Sequence, residues 1–322
     1  MISVLMTTYN CGEYIAQSIK SILNQTYKDF EFLIIDDGST DNTEEVVCRF
    51  NDNRIVYKKI AHIGRSKALN HGLSICQHKL VSIMDADDVA HSSKIEKQIK
   101  LLSGEENEIC FTDAAYFSKN KIRYISQNKF KNNEINEMLA LHGHFTNSTF
   151  MFYKNYILNY GGYDESLDVF EDYDLLLKIK NKSKFIFVNE VLQFQRLRNQ
   201  SLSRGNNEQL NKKIYNLQKP YYLDLSKSFK IFDPQKQKYL CGWREFFYGS
   251  KDDMRKYWRK INYKDWNYKM LLAYLISYFP QRFVDDFKKQ SFRLRISYFF
   301  NKSKKYNGLD KEFKNILKEV SV

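Results

Sequence analysis

The sequence predicts an α/β fold, three layers around a mostly parallel sheet, continued by a mainly helical C-terminal region. Three observations carry this. Apolar runs of five or six residues alternate with amphipathic stretches over the first 110 residues, the pattern of parallel strands joined by right-handed helical crossovers. Two of the runs end directly in acidic clusters, Asp36-Asp37-Gly38-Ser39 and Asp85-Ala86-Asp87-Asp88. The net charge of +13 over 322 residues lies wholly in the last third of the chain.

Ile2 to Met6 reads as a buried strand, and Tyr14 to Leu23 as a helix with Tyr14, Ile15, Ser18, Ile19 and Ile22 on one face. Phe30 to Ile35 is a second strand running into the acidic turn, after which Thr40 or Asp41 caps a helix reaching Phe50. Arg54 to Lys58 is a short strand, Gly64 to Ser74 a helix, and Leu80 to Met84 a fourth strand that ends at Asp85. A helix from Ser92 to Leu102 follows, for which Asp87 or Asp88 is an available N-cap. Beyond residue 110, Glu108 to Phe117, Ser148 to Tyr153 and Lys184 to Val188 read as strands, and Glu134 to Leu141 and Asp172 to Lys180 as helices. From about residue 210 the segments look helical, with breaks near Pro220, Pro234 and Pro280.

Composition narrows the function classes. Hydrophobic residues make up 43% and Gly and Pro only 12 and 3 residues, which excludes collagen-like, disordered and low-complexity chains. The five cysteines (Cys11, Cys48, Cys76, Cys110, Cys241) are scattered and never form a CxxC pair, so neither a disulfide framework nor a zinc site is expected. His142-Gly143-His144 is the one close histidine pair and lacks a third ligand. The first strand is interrupted by Thr7, Thr8 and Asn10, with no basic segment before it and no small-residue cleavage site after it. No signal peptide is therefore expected, and the chain is expected in the cytoplasm.

Charge divides the chain. Residues 1 to 210 hold 25 Lys and Arg against 27 Asp and Glu, while residues 211 to 322 hold 26 against 11, net +15. Aromatic residues number 24 in the first part and 26 in the much shorter second part. Two regions are expected, a catalytic or binding domain over 1–210 and a basic, aromatic-rich helical region over 211–322. Such a region suits an anionic membrane surface. Its longest apolar run, Met270 to Phe279, is ten residues, too short for the roughly 20 that cross a bilayer. It shows no nucleic-acid-binding motif, so no nucleic acid is expected. The other uses of such a surface are a packing layer with a solvated face and burial against a second copy.

Ligands of parallel sheets bind beyond the carboxyl ends of the strands, so the two acidic clusters point to one crevice. Three carboxylates within Asp85 to Asp88 repel one another unless a divalent cation or a hydrogen-bonding ligand neutralises them, and an all-oxygen set suits Mg²⁺ or Mn²⁺. Asp36 at a strand end can accept from a nucleobase N–H or a ribose hydroxyl. Each cluster taken alone is equally a capped turn. Together with Thr7-Thr8-Tyr9-Asn10 after the first strand and Gly64 to Asn70 between the clusters, they form a conjunction that chance does not supply.

These residues resemble the family 2 glycosyltransferases of GT-A fold, over roughly residues 1 to 205. The resemblance rests on the opening strand into Thr7-Thr8-Tyr9-Asn10, on the text from Asn24 to Thr43 (NQTYKDFEFLIIDDGSTDNT), and on Asp85 to Asp88. It implies transfer of a sugar, usually with inversion, from a nucleotide sugar to a hydroxyl, with Mn²⁺ or Mg²⁺ as cofactor. Carried over by position, Thr7, Tyr9, Asp36 and Arg65 shape the nucleotide pocket, Asp85 touches the ribose side and Asp87 binds the metal. The segment from Gly161 to Asp174 resembles the acceptor side, where Asp172 is assigned as the base and Glu171 is its alternative, while Asp174 faces structure. Phe145 to Thr149 falls where relatives form the acceptor-pocket floor.

Gln195 to Arg204 departs from the family pattern. Arg196 aligns with an arginine, but Arg198 stands where relatives often carry a histidine that helps bind metal or diphosphate. A guanidinium cannot ligate a cation but pairs bidentately with phosphate oxygens, so Arg196 and Arg198 are expected on the diphosphate. The expected protein is a glycosyltransferase using a UDP-linked or other nucleotide-sugar donor and a glycan or glycolipid acceptor. By analogy with the family it works in bacterial surface polysaccharide synthesis, peripheral on the inner face of the cytoplasmic membrane. The alternative is a non-catalytic module of the same fold. A sugar nucleotidyltransferase would need a basic Gly-rich loop where Thr7 to Gly12 has no cation, and a dinucleotide oxidoreductase would need a GxGxxG after the first strand.

Overall fold

The computed structural model describes residues 1–126, 139, 145–198, 208–223, 234–280, 283–284 and 307–321. It divides into two compact units: Met1–Asn133, His144–Gln200 and Ser303–Val322 form the first, Glu134–Gly143 and Ser201–Lys302 the second.

The first unit opens with β1 (Ile2–Thr8), α1 (Ile15–Leu23), β2 (Phe30–Asp36), α2 (Thr43–Cys48), β3 (Ile55–Lys59), α3 (Arg65–Ile75) and β4 (Leu80–Asp85). There follow β5 (Val89–Ala90), α4 (Lys94–Leu101), β6 (Glu108–Ser118), β7 (Lys121–Ser126), a 3-10 turn over Asn147–Thr149 and β8 (Met151–Tyr153). The unit continues with α5 (Lys154–Asn159), α6 (Glu171–Ile179) and β9 (Lys184–Arg196). The nine strands run β3-β2-β1-β4-β8-β6-β9-β5, with β7 on β6. β3, β2, β1 and β4 are mutually parallel, as are β6 and β9, whereas β8, β7 and β5 pair antiparallel to their neighbours.

Central parallel strands are covered on both faces and therefore read as continuous apolar runs; every residue of β1 and β2 is buried. Helix α1 buries Ile15, Ile19 and Ile22 against that sheet with Val4, Met6 and Phe32. On the other face Gly72 lets α3 approach β1 closely, since a Cβ there would lie 2.4 Å from Leu5 Cδ1. The register places Thr8 opposite Asp36 and Thr7 opposite Asp85. Three strand ends thus present their polar residues in one row.

Several elements differ from expectation. β9 continues past Val188 to Arg196 because its second half pairs with β6 on one side and β5 on the other. Neither Asp87 nor Asp88 caps α4, whose N-cap is Ser93. The expected helix over Glu134 to Leu141, of which only Leu139 is described, and the histidine pair at 142 and 144 lie otherwise outside the described residues.

The last helix, α11, is Asn307–Glu319 and belongs to the first unit. Phe313 packs its ring 4.6 Å from Phe194 and 4.7 Å from Phe117, joined by Ile316, Leu317 and Val320. The division expected at residue 210 therefore does not hold for the last helix, whose apolar face closes the sheet.

The second unit contains α7 (Glu208–Leu223), α8 (Pro234–Tyr248), α9 (Lys251–Trp258), a 3-10 turn over Tyr263–Asp265 and α10 (Tyr268–Ile276). Pro220 does not break α7, being three residues from its end, where a missing N–H removes a single backbone bond. Pro234 opens α8, where its lost donor has no intrahelical partner to lose. The unit is built on Phe246, Met254, Trp258, Ile261, Met270 and Ala273, with Trp243 and Trp266 packed against them. No helix of the described residues is long and apolar enough to cross a membrane.

Candidate active site

The row of strand ends sets the floor. Thr7 is buried between β2 and β4, while Tyr9, past the end of β1, is exposed and stacks on His62 with ring centres 4.2 Å apart. His62 lies 2.9 Å from Asp37 Oδ2, and Asp37 also accepts from the backbone of Ile63 and Gly64, fixing the turn into α3. Asp36 does not open onto this surface. It is 0% exposed, with Oδ1 accepting from Ser39 N at 2.7 Å and Oδ2 from the Tyr57 hydroxyl at 2.6 Å. Burial and the bond to Asp36 hold the Tyr57 phenol far above its ordinary value, so it stays a donor. Asp36 therefore acts on the pocket through the Ser39 turn that it fixes.

The acidic loop after β4 separates its three carboxylates. Arg65, at the start of α3, places Nη2 2.6 Å from Asp85 Oδ1 and Nε 2.6 Å from Glu171 Oε1, so one guanidinium bridges the acidic loop after β4 and the start of α6. Asp87 faces Arg198, whose Nε is 2.7 Å from Oδ2. Asp88 turns inward, accepting from Arg196 N at 3.0 Å, Ser148 Oγ at 2.7 Å and Gln193 Nε2 at 3.4 Å. Burial first, then Asp87 and Asp85, push the Asp88 carboxyl well above the usual range.

Arg196, expected on the diphosphate, is instead spent on this loop. Its Nε donates to the Asp87 carbonyl at 2.9 Å and its Nη2 to Gln17 Oε1 at 2.7 Å. Its guanidinium lies 4.8 Å from the ring centre of Tyr14 and 4.6 Å from that of Phe117. The extension of β9 brings it there. Arg198, two residues on, remains partly exposed.

Sequence reasoning missed Lys94 beneath the loop. It is 1% exposed, and its Nζ donates to Ser148 O at 2.6 Å and Ile83 O at 3.3 Å. Burial lowers its pKa to about 8, against the pull of Asp85 and Asp88. A lysine at the first position of an amphipathic helix carries no sequence sign of burial. Gln193 was hidden in the same way, because β9 was expected to end before it.

On the acceptor side, α6 begins from a left-handed Phe170 at φ 65°, a conformation bulky residues adopt only when their surroundings impose it. The next two residues are Glu171 and Asp172. Glu171 is buried and held by Arg65. Asp172 is half-buried and accepts only from Tyr173 N, at 2.7 Å through Oδ1, among the described residues. Burial first, and Glu171 second, raise its pKa to about 8. Tyr163 lies nearby, its hydroxyl donating to Asn147 Oδ1 at 3.1 Å. Asn70 holds the Tyr163 backbone through N and O, at 2.9 Å each. Gly162 sits at φ +68°, and a Cβ there would lie 2.5 Å from Asn70 Oδ1, so this turn admits only glycine. Asp174 pairs with Lys178 at 2.7 Å, a structural place.

Among the described residues no group of three or more His, Cys, Asp or Glu could hold a metal ion. The donor set fits Mn²⁺ or Mg²⁺ only in the mode where one or two carboxylates act together with substrate phosphates. Asp87, expected to bind the metal, faces Arg198 rather than a second ligand.

Residues 3–161 match the family described as Glycosyl transferase family 2. An uncharacterized glycosyltransferase of Methanocaldococcus jannaschii is 32% identical over 263 residues, 77% of this chain and 86% of the relative. The O-antigen biosynthesis glycosyltransferase WbnJ of Escherichia coli is 33% identical over 214 residues, 64% of this chain and 83% of the relative. Residues 1-349 of S. aureus TarS in complex with UDP-GlcNAc superpose with TM-score 0.59 at 14% identity, covering 86% of this chain and 79% of that one. The mannosyltransferase PcManGT of Pyrobaculum calidifontis, in complex with GDP-Man and Mn²⁺, superposes with TM-score 0.53 at 14% identity, covering 89% and 84%. At such identities these likenesses show the fold, a mixed α/β GT-A arrangement.

Proposed function

The chain belongs to glycosyltransferase family 2, and from that premise we propose that its crevice moves a sugar, with inversion, from a UDP-linked donor to a hydroxyl of a glycan or lipid-linked glycan acceptor. The observation that carries the assignment is the unequal pair at the start of α6: Arg65 commits Glu171, whereas among the described residues Asp172 keeps one oxygen free, and its proton affinity is raised. A base poised near the working pH takes a proton most effectively. Asp172 accepts the acceptor hydroxyl proton as that oxygen bonds the anomeric carbon. The bond from that carbon to the diphosphate oxygen breaks on the opposite face.

The remaining residues hold the donor. Tyr9 offers its ring to the base, Thr7 and the Ser39 turn fixed by Asp36 shape the pocket, and Asp85 with Arg65 meets the ribose side. Asp87 would hold Mn²⁺ or Mg²⁺ together with the diphosphate, a cation that neutralises the charge growing on the leaving group. Arg198 pairs with phosphate oxygens, and Arg196 positions the loop. The naming of WbnJ for O-antigen biosynthesis supports a bacterial surface polysaccharide as the product. The +15 charge of residues 211–322 supports work at the inner face of the cytoplasmic membrane.

The test is release of nucleoside diphosphate from a panel of UDP- and GDP-sugars by wild type, Asp172→Asn and Glu171→Gln. Asp172→Asn is expected to bind donor as wild type does and to turn over at least about a hundredfold more slowly. Full turnover in Asp172→Asn would remove it as the base. A panel that yields no turnover with any protein, despite donor binding, favours a non-catalytic module.

A further inference from the structure

The second unit leaves an apolar face of α10 uncovered. Met270, Ala273 and Ile276 point into its core, whereas Leu271, Leu272 and Leu275, followed by Tyr278, Phe279 and Phe283, are 46–58% exposed. The spacing 271, 275, 278 with 272 and 279 sets five of these on one side of the helix and its exit turn, and the Phe283 ring stacks on Phe279 with centres 5.1 Å apart. Single exposed apolar side chains are ordinary; six in thirteen residues form a patch of the kind that marks an interaction site.

The patch is edged by cations. Arg259 donates to the hydroxyls of Tyr274 and Tyr278 at 2.8 and 3.1 Å, and Lys251 donates to the Phe279 carbonyl at 3.1 Å. Those partners are neutral, so neither charge is compensated by an acid among the described residues. Residues 281–306, next in sequence, hold eight Lys and Arg against two Asp. The tryptophans are not part of this surface: Trp258 is fully buried, and Trp243 and Trp266 pack on the same core.

We propose that the face formed by Leu271, Leu272, Leu275, Tyr278, Phe279 and Phe283 docks on an anionic bilayer surface. This deepens the membrane contact of the proposed function by naming the face that makes it. A helix docked on its protein through one apolar side and exposing another, with a basic rim, can lie in the headgroup boundary, its exposed apolar side chains reaching the acyl region and the cations meeting anionic lipids. Nine residues of helix span about 14 Å, too short to cross. A second copy is the weaker occupant, because two faces with the same cationic rim repel.

The test is cosedimentation of the full chain with vesicles of phosphatidylcholine, and of equimolar phosphatidylcholine and phosphatidylglycerol, over a salt series. The mixed vesicles are expected to bind at least about tenfold more tightly, with binding weakening as salt shortens the screening length. The Leu271→Ser, Leu275→Ser, Phe279→Ser triple variant is expected to lose at least about tenfold in vesicle affinity while keeping its nucleotide binding. Leu275→Asp, a single change at an exposed position, carries the same expectation should the triple variant not fold. Vesicle binding unchanged in these variants, or absent in wild type, overturns the proposal. So does a wild-type dimer that the variants dissociate, since a second copy then covers the face. Loss of vesicle binding with nucleotide binding intact bears on this inference alone, and the reverse on the transferase reading alone.

Discussion

Arg65 makes two adjacent carboxylates unequal, pairing with Glu171 and not with Asp172. By holding Glu171 and Asp85 together at 2.6 Å each it leaves Asp172 with a pKa raised to about 8 by burial and by Glu171. The consequence for stability has a definite sign. The folded chain keeps a proton on Asp172 that the unfolded chain releases near pH 4, so this contribution is full below about pH 4 and declines as pH rises to about 8. Asp172→Asn does not titrate. Its melting temperature relative to wild type is therefore expected to climb from pH 5 to about 8 and level off above, read by thermal denaturation across pH. A difference that stays flat over that range would mean Asp172 is ionised throughout. The acids and Arg65 were legible in the sequence because acidic clusters at strand ends are conspicuous. The partners of Asp36 and Arg196 and the burial of Lys94 were not, since burial and side-chain direction decide them and neither has a local sequence sign.

At the scale of elements, the strands and helices of residues 1 to 102 were legible because central parallel strands are apolar throughout and α1 and α4 are strongly amphipathic. The later half was less so. β9 reads as two pieces because Asn189 and Glu190 are exposed in mid-strand at an irregular register, yet only its second piece delivers Gln193 and Arg196 to the acidic loop. The last helix, itself of no net charge, fell in the basic region only by its position after residue 210, while Phe313 ties it to β6 and β9. Phe313→Ala is expected to cost the first unit about 3 kcal/mol, as large-to-small changes at buried aromatics do. Because Phe117 supports both Phe313 and Arg196, nucleotide affinity should fall with it. Urea denaturation checks the first and titration the second. A loss below about 1 kcal/mol would mean that the sheet is complete without the helix.

For the whole molecule, the excess positive charge falls mainly in the second unit. Asp36, Asp85, Asp87, Glu171 and Asp172 lie in the first unit, while the second joins a core of its own to an exposed apolar face with a cationic rim. Composition alone revealed that the C-terminal region was basic and aromatic, but not which aromatics were core and which were surface, because Trp and Tyr serve both places. The claim on which the rest depends is that the strand ends of β1, β2 and β4 form a nucleoside diphosphate site whose carboxylate is Asp87. The direct measurement is calorimetric titration of UDP, with GDP as comparison, into wild type and Asp87→Asn, each with Mn²⁺ and with EDTA. UDP is expected to bind wild type at one site per chain, and at least about tenfold more weakly after EDTA or in Asp87→Asn, a change of about 1.4 kcal/mol. Wild-type protein that binds neither nucleotide, with or without Mn²⁺, would contradict the account.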